Sequence, residues 1–237
     1  MEIEKPFDHE ALCRSMLEHN SETISIRNPE IAIKKLTVII DAALRLSNKK
    51  GFQAMSLRDL SKESGVSMGG LYAYFDTKTT LLGMILGEVT RAVERELSNP
   101  PQEVAQDPIA HLNWLIEHHI RLTDKMSPWF IFAFMEAKSF PLAERRIATQ
   151  SEELTERYFS DVCERAHRQG LLRPGVPQIL PMLIKPLIQD WYVKRPKYRR
   201  RGISLRTYIV SVQAIVMAAI LPNTEALVPD HPEVFYD

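Results

Sequence analysis

The sequence predicts an all-α protein with a small N-terminal three-helix module and a larger helical remainder. Three observations predict it. Apolar residues recur at helical spacing in most segments between Ile31 and Pro222. The longer periodic runs stop at helix-ending residues, such as Gly51, Gly65, Gly170 and the Pro100–Pro101 pair. No region carries the strict alternation of a strand-rich fold. Nine or ten helices are expected, with boundaries at 1–30 for an N-terminal extension, 31–80 for the small module, 81–222 for the larger domain and 223–237 for a tail.

Taken in order, Met1 to Glu30 is acidic and broken at Pro6 and Pro29, with one short helical stretch from His9 to His19. It reads as a disordered or loosely docked arm. From Ile31 the positions Leu36, Ile39, Ile40, Ala43, Leu44 and Leu46 form the apolar stripe of a helix that stops at Gly51. Ser56 is a good N-cap, and Asp59 three residues later completes a capping box, so the next helix starts at Leu57. Gly65 ends it with a turn that needs positive φ, and Ser67 caps the helix that follows. At about 100° per residue, Met68, Leu71 and Phe75 share one side of that second helix, with Tyr74 at the edge. The opposite side carries Gly69, Gly70, Tyr72 and Ala73, a nearly bare surface that can approach DNA closely. Lys78, just beyond, is placed to meet a phosphate. The turn alone would serve equally as a corner of a helical bundle.

The whole string is more specific than its turn. The run G-V-S-x-G-x-L-Y-x-Y-F-x-x-K, made here by Gly65, Val66, Ser67, Gly69, Leu71, Tyr72, Tyr74, Phe75 and Lys78, resembles the DNA-binding domain of the TetR family of bacterial repressors. The resemblance covers roughly Ile31 to Leu97, through Ile39, Ala42, Ala43, Leu46, Gly51, Leu57, Asp59, Leu60 and Leu81. It implies a helix-turn-helix whose DNA-binding set is Ser56, Arg58, Ser67, Met68, Gly69, Gly70, Tyr72, Tyr74 and Lys78. It further implies a homodimer, with two late apolar helices packed against their counterparts, on a palindromic double-stranded operator. Ser61 and Ser64 depart from the family's usual alanines. Met68, Gly70 and Ala73 stand where polar or basic readers are common.

In the larger domain, Leu81, Leu82, Ile85, Val89, Val93 and Leu97 define a connecting helix, and Asp107 to Met126 a second one with His111 and His118 at an angle to its stripe. Ser127 and Pro128 open the segment WFIFAFMEA, apolar on every side from Trp129 to Met135. Such a segment is plain core or the wall of a small-molecule pocket. Trp114, His118, Trp129, Phe130, Phe134 and Met135 are the candidate ligand-binding residues, with Glu136 as a second polar group. A long helix then runs from Leu142 to Gln169, followed by the apolar segments Ile179 to Tyr192, interrupted by Pro181 and Pro186, and Leu205 to Leu221. These two are the expected dimer helices, with Val212 near the middle of the interface. Between them Lys194, Arg195, Lys197, Arg199, Arg200 and Arg201 form a basic block, read as a solvated loop or a phosphate-binding surface.

Net charge is zero, yet between Ile31 and Thr80 eight basic residues face four acidic ones. That local excess is what phosphate binding requires. Cys13 and Cys163 stand far apart with no C-x-x-C spacing, so neither a disulfide framework nor a zinc site is suggested. No signal peptide or apolar run long enough to span a bilayer is apparent, so a cytoplasmic, membrane-free protein is expected. No catalytic residues, metal ligands or cofactor site are expected, because no nucleophile motif, carboxylate pair or phosphate loop occurs. The expected function is a repressor released from its operator by a small apolar effector. The chain order from Glu156 to Pro174 and at DWYVKRP is similar to TetR regulators that answer to acyl-CoA thioesters. A regulator controlled by a protein partner without any small molecule is the alternative.

Overall fold

The computed structural model describes residues 9–222, so the N-terminal octapeptide and the expected tail at 223–237 lie outside it. Every regular element among the described residues is helical, in twelve α-helices and one 3-10 turn. The chain divides into two compact units. One extends to Glu94 and takes in Lys125–Glu152; the other holds Arg95–Asp124 and the chain from Glu153 onward.

The first unit is organised on α2, Pro29–Lys50. Its start is fixed by the Asn28 side chain, which accepts from the Glu30 and Ile31 amides, and by proline in the first turn, whose missing N–H costs nothing there. Ala32, Ile33, Leu36, Ile39, Ile40, Ala42 and Ala43 are almost completely buried. Gly51 ends the helix at φ 83°, its N–H returning to the Ser47 carbonyl. Helix α1, His9–His19, is a packed element rather than the loose arm expected. Leu12, Cys13 and Met16 form one helical face and are buried, and the Ser15 hydroxyl donates to the buried Glu88 carboxylate at 3.0 Å. Glu88 lies on α5, Lys78–Leu97, where Arg91 pairs with it at 2.9 Å.

Helix α8, Ser127–Glu136, also belongs to this unit. Phe132 meets Phe52 edge-on at 5.4 Å and Phe140 at 5.8 Å. Ser47 donates to Glu136 at 2.9 Å, and the Gln53 amide donates to the Ser139 carbonyl at 2.7 Å. The loop after α2 is therefore gripped from behind by both apolar and polar contacts.

The second unit contains α6, Gln102–Gln106; α7, Pro108–Lys125; most of α9, Leu142–Arg168; α10, Leu180–Val193; α11, Arg195–Arg200; and α12, Leu205–Ile220. Asp107 starts α7 by accepting from the Ile109 amide at 2.8 Å. Pro181 sits in the first turn of α10, while the helix continues through Pro186. Trp191, Tyr198 and Tyr208 form an aromatic cluster, with the Trp191 indole donating to Asp124 at 2.8 Å. The basic block is α11 rather than a solvated loop. Arg195 stacks over Trp191 at 4.5 Å and pairs with Asp124, while Lys194 and Lys197 both reach Asp190. Arg199, Arg200 and Arg201 remain exposed.

His119 on α7 is a core residue, 3% exposed and parallel to Phe159 at 6.3 Å. Burial, aided by the Lys185 charge, pushes its pKa down to about 3. The unfolded chain takes up this proton near pH 6.5, whereas the folded one does so only near its own lowered value. Stability is thus unaffected above neutrality and is lost as pH falls through that window, by about 2 kcal/mol near pH 5. In urea unfolding at several pH values, His119→Leu is expected to flatten this acid-side decline.

Candidate nucleic-acid interface

Helices α3, Leu57–Ser64, and α4, Met68–Tyr72, form the reading pair. The capping box exists as the sequence requires: the Asp59 amide donates to Ser56 Oγ at 3.1 Å and the Ser56 amide donates to the Asp59 carboxylate at 2.8 Å. Lys50 at the end of α2 also binds that carboxylate at 2.6 Å, and with Ser56 holds the Asp59 carboxyl well below the usual range. Gly65 takes the left-handed conformation at φ 69°. Ser67 caps α4 by accepting from the Gly70 amide at 3.1 Å. The departures at Ser61 and Ser64 turn out to staple the turn. Ser61 donates to the Val66 carbonyl at 2.7 Å, and Ser64 accepts from the Val66 amide at 3.3 Å.

Three residues of the expected DNA-binding set need correction. Tyr74 is fully buried with Leu71 and Phe75, because α4 stops at Tyr72 and the following residues turn inward. It anchors the helix and cannot touch DNA. Gly70 is not part of the bare face, since a Cβ there would stand 2.9 Å from Val66 Cγ1 and 3.2 Å from Ser67 Oγ. Its small size serves packing. Lys78 is consumed by the protein: its ammonium donates to the carbonyls of Phe52, Gln53 and Met55 at 3.2, 2.9 and 3.1 Å and lies over the Phe52 ring at 5.3 Å. All three donors point inward, so the lysine locks the loop before α3 instead of reaching a phosphate.

What stays open is a compact set. Tyr72 is 54% exposed, and Gly69 has nothing within 4 Å of where a Cβ would be. Met68 is half-buried at the start of the helix, with Ser56, Arg58 and Ser67 exposed. Arg45 is paired with Glu63 at 3.2 Å and Lys50 with Asp59. Lys34, Lys35, Lys49, Arg58 and Lys62 are exposed and have no partner among the described residues. Unpaired cations on the same unit as a side-chain-poor helix face suit a phosphate-lined groove.

Residues 39–85 match the family model for bacterial regulatory proteins of the tetR family. The chain is 22% identical over 214 residues to the HTH-type transcriptional regulator HbdR of Aromatoleum sp. (strain CIB), covering 86% of this chain and 93% of that one. Over residues 39–85 the chain carries a DNA-binding domain of the TetR type. A second relative, the HTH-type transcriptional repressor KstR of Rhodococcus jostii (strain RHA1), is 29% identical over 102 residues, spanning 40% of this chain and 47% of that one. The fold is similar to FadR of Bacillus subtilis, solved in complex with stearoyl-CoA, with TM-score 0.59 and 18% identity over 77% of this chain and 98% of that one. DNA binding and transcription regulation follow for this TetR-type chain.

The candidate ligand residues of this TetR-type chain fall in both units. In the second, Trp114 stacks on His118 at 4.2 Å, and His118 bonds Glu96 at 2.8 Å. In the first, Trp129 and Phe130 are buried while Phe134 and Met135 are 43% and 61% exposed. The Trp129 indole N–H is buried with no acceptor among the described residues. Met135 and Glu136 border a cleft of about 620 Å³ against α2, together with Asp41, Leu44, Ser47 and Phe132. Among the described residues no helix is long and apolar enough to cross a membrane.

Proposed function

We propose that the chain is a ligand-released transcriptional repressor that binds a two-fold operator as a homodimer. The observation that carries the reading is the reading helix itself, with Leu71, Tyr74 and Phe75 fully buried beneath it and Tyr72 presented outward from a bare face. The proposed assignment is that residues 31–80 read DNA and the helices from 81 to 222 serve ligand binding and dimerisation, although 81–94 and 125–152 pack in the same compact unit as the reading pair.

The dimer is supported by an apolar stripe left uncovered on the second unit. Ile179, Met182 and Leu183 beside α10 are 54%, 50% and 49% exposed, and Ile215 on α12 is 57% exposed. Patches of this kind commonly mark association sites. Val212 is 3% exposed and serves its own core, so Ile215 takes the central place expected of it. In light scattering, Ile215→Glu and Met182→Glu are expected to yield a folded monomer where the parent chain is a dimer at micromolar concentration. A monomeric parent chain would contradict the assignment.

For the effector, an apolar molecule with a polar end is suggested by the aromatic side chains of α8 and by the Trp129 indole, which has no acceptor among the described residues, and the stearoyl-CoA held by the similarly folded FadR favours a thioester. Of the arginines weighed for its phosphates, Arg145 is already bonded to the Lys138 and Phe140 carbonyls. Release requires only that the ligand prefer the form with wrongly spaced reading helices. Titrating long-chain acyl-CoA into a preformed protein–duplex complex should dissociate it. Full retention at saturating thioester would reject the thioester.

A further inference from the structure

The segment between α1 and α2 is tied to the end of the reading helix. The Ser25 amide donates to the Ala73 carbonyl at 2.9 Å, and the Ser25 hydroxyl reaches the same oxygen at 3.4 Å. Ala73 is the C-cap of α4, and the last carbonyls of a helix have no partner within it. The arm supplies one from 48 residues away. The tie is braced on both sides. Ile24, immediately before it, is 6% exposed, and Asn28, just after it, is the N-cap of α2.

Arg27 sits inside this braced span. It is exposed and has no partner among the described residues, unlike Arg14, which binds Glu30 at 3.3 Å. Two residues of chain extend at most about 7 Å, so the Arg27 backbone lies within about 12 Å of Ala73, and its long side chain can close much of the remaining distance. Ala73 directly follows Tyr72, the outward phenol of the reading helix. A guanidinium matches phosphate oxygens with two parallel donors. The segment also lies outside residues 39–85, which match the family model.

We propose that the arm from Ser25 to Asn28 is a second DNA-contacting surface, in which Arg27 binds the phosphate backbone flanking the site where Tyr72 lands. The inference rests on the DNA-binding reading above. Ordering is supplied in advance by the Ser25 tie, so docking does not have to organise a free terminal arm. The contact is to phosphate, so it adds affinity to every duplex and little sequence preference.

The test measures duplex affinity over a salt series for the full chain, Arg27→Ala, Arg27→Lys and Tyr72→Ala, on a duplex selected from a random pool and on a scrambled duplex. Arg27→Ala is expected to weaken binding to both duplexes by about tenfold near physiological salt and to make the salt dependence shallower by about 0.9 in log–log slope per bound chain. Arg27→Lys should keep the slope. Because Arg27 is exposed, circular dichroism should find the variants folded. An Arg27→Ala variant with the parent's affinity, or with weaker binding at an unchanged slope, overturns the phosphate contact while leaving the helix-turn-helix reading intact. A parent chain that binds neither duplex overturns both.

Discussion

Lys78→Ala is expected to destabilise the DNA-reading unit by about 2–3 kcal/mol and to weaken duplex binding without changing its salt dependence. The ammonium satisfies three carbonyls of the loop between α2 and α3, and burial already lowers its pKa. Removing it leaves the Phe52, Gln53 and Met55 carbonyls without their charged donor and uncovers the Phe52 ring. Lys78→Met, which restores the stem over Phe52, should recover part of the stability. Urea unfolding followed by a salt series on the folded fraction separates the two roles. A phosphate-binding lysine would instead leave stability unchanged and make the salt slope shallower.

The second large effect is a contrast between neighbouring glycines. Gly70→Val should cost about 3 kcal/mol and abolish specific binding, because the new side chain must displace Val66 and expel the Ser67 hydroxyl from its capping position. Gly69→Ala should fold as the parent does, since a Cβ there meets nothing within 4 Å, and should weaken DNA binding only through the closeness of the approaching duplex. Thermal unfolding and duplex titration of both variants check this. If Gly69→Ala unfolds as readily as Gly70→Val, the assignment of the two faces is wrong.

The local features of the reading pair were legible because their causes are local. The capping box at Ser56 and Asp59, the left-handed turn at Gly65 and the Ser67 cap each depend on residues a few positions apart. Tyr74 was only half legible: the 100° step set it at the edge of the inward face, the resemblance assigned it to DNA, and its full burial shows once α4 ends at Tyr72. Lys78 was misread for a related reason: its acceptors come from a loop more than twenty residues upstream, a contact that spacing cannot reveal. The arm was underestimated because its fixing partners, Glu88 and Ala73, lie far along the chain. For α12 the amphipathic pattern was visible, but Val212 and Ile215 could be assigned to inner and outer faces only after the aromatic cluster around Trp191 fixed which side packs inward.

The central claim is that the face of α4 around Tyr72 reads duplex DNA with two-fold symmetry. It is tested most directly by selecting bound duplexes from a random-sequence pool near physiological salt with the parent chain and with Tyr72→Ala. The account predicts that the parent enriches an inverted repeat whose half-sites are about one helical turn apart or a multiple of it, and that Tyr72→Ala loses this enrichment. Equal affinity of the parent chain for all duplexes, with no motif enriched, would contradict it.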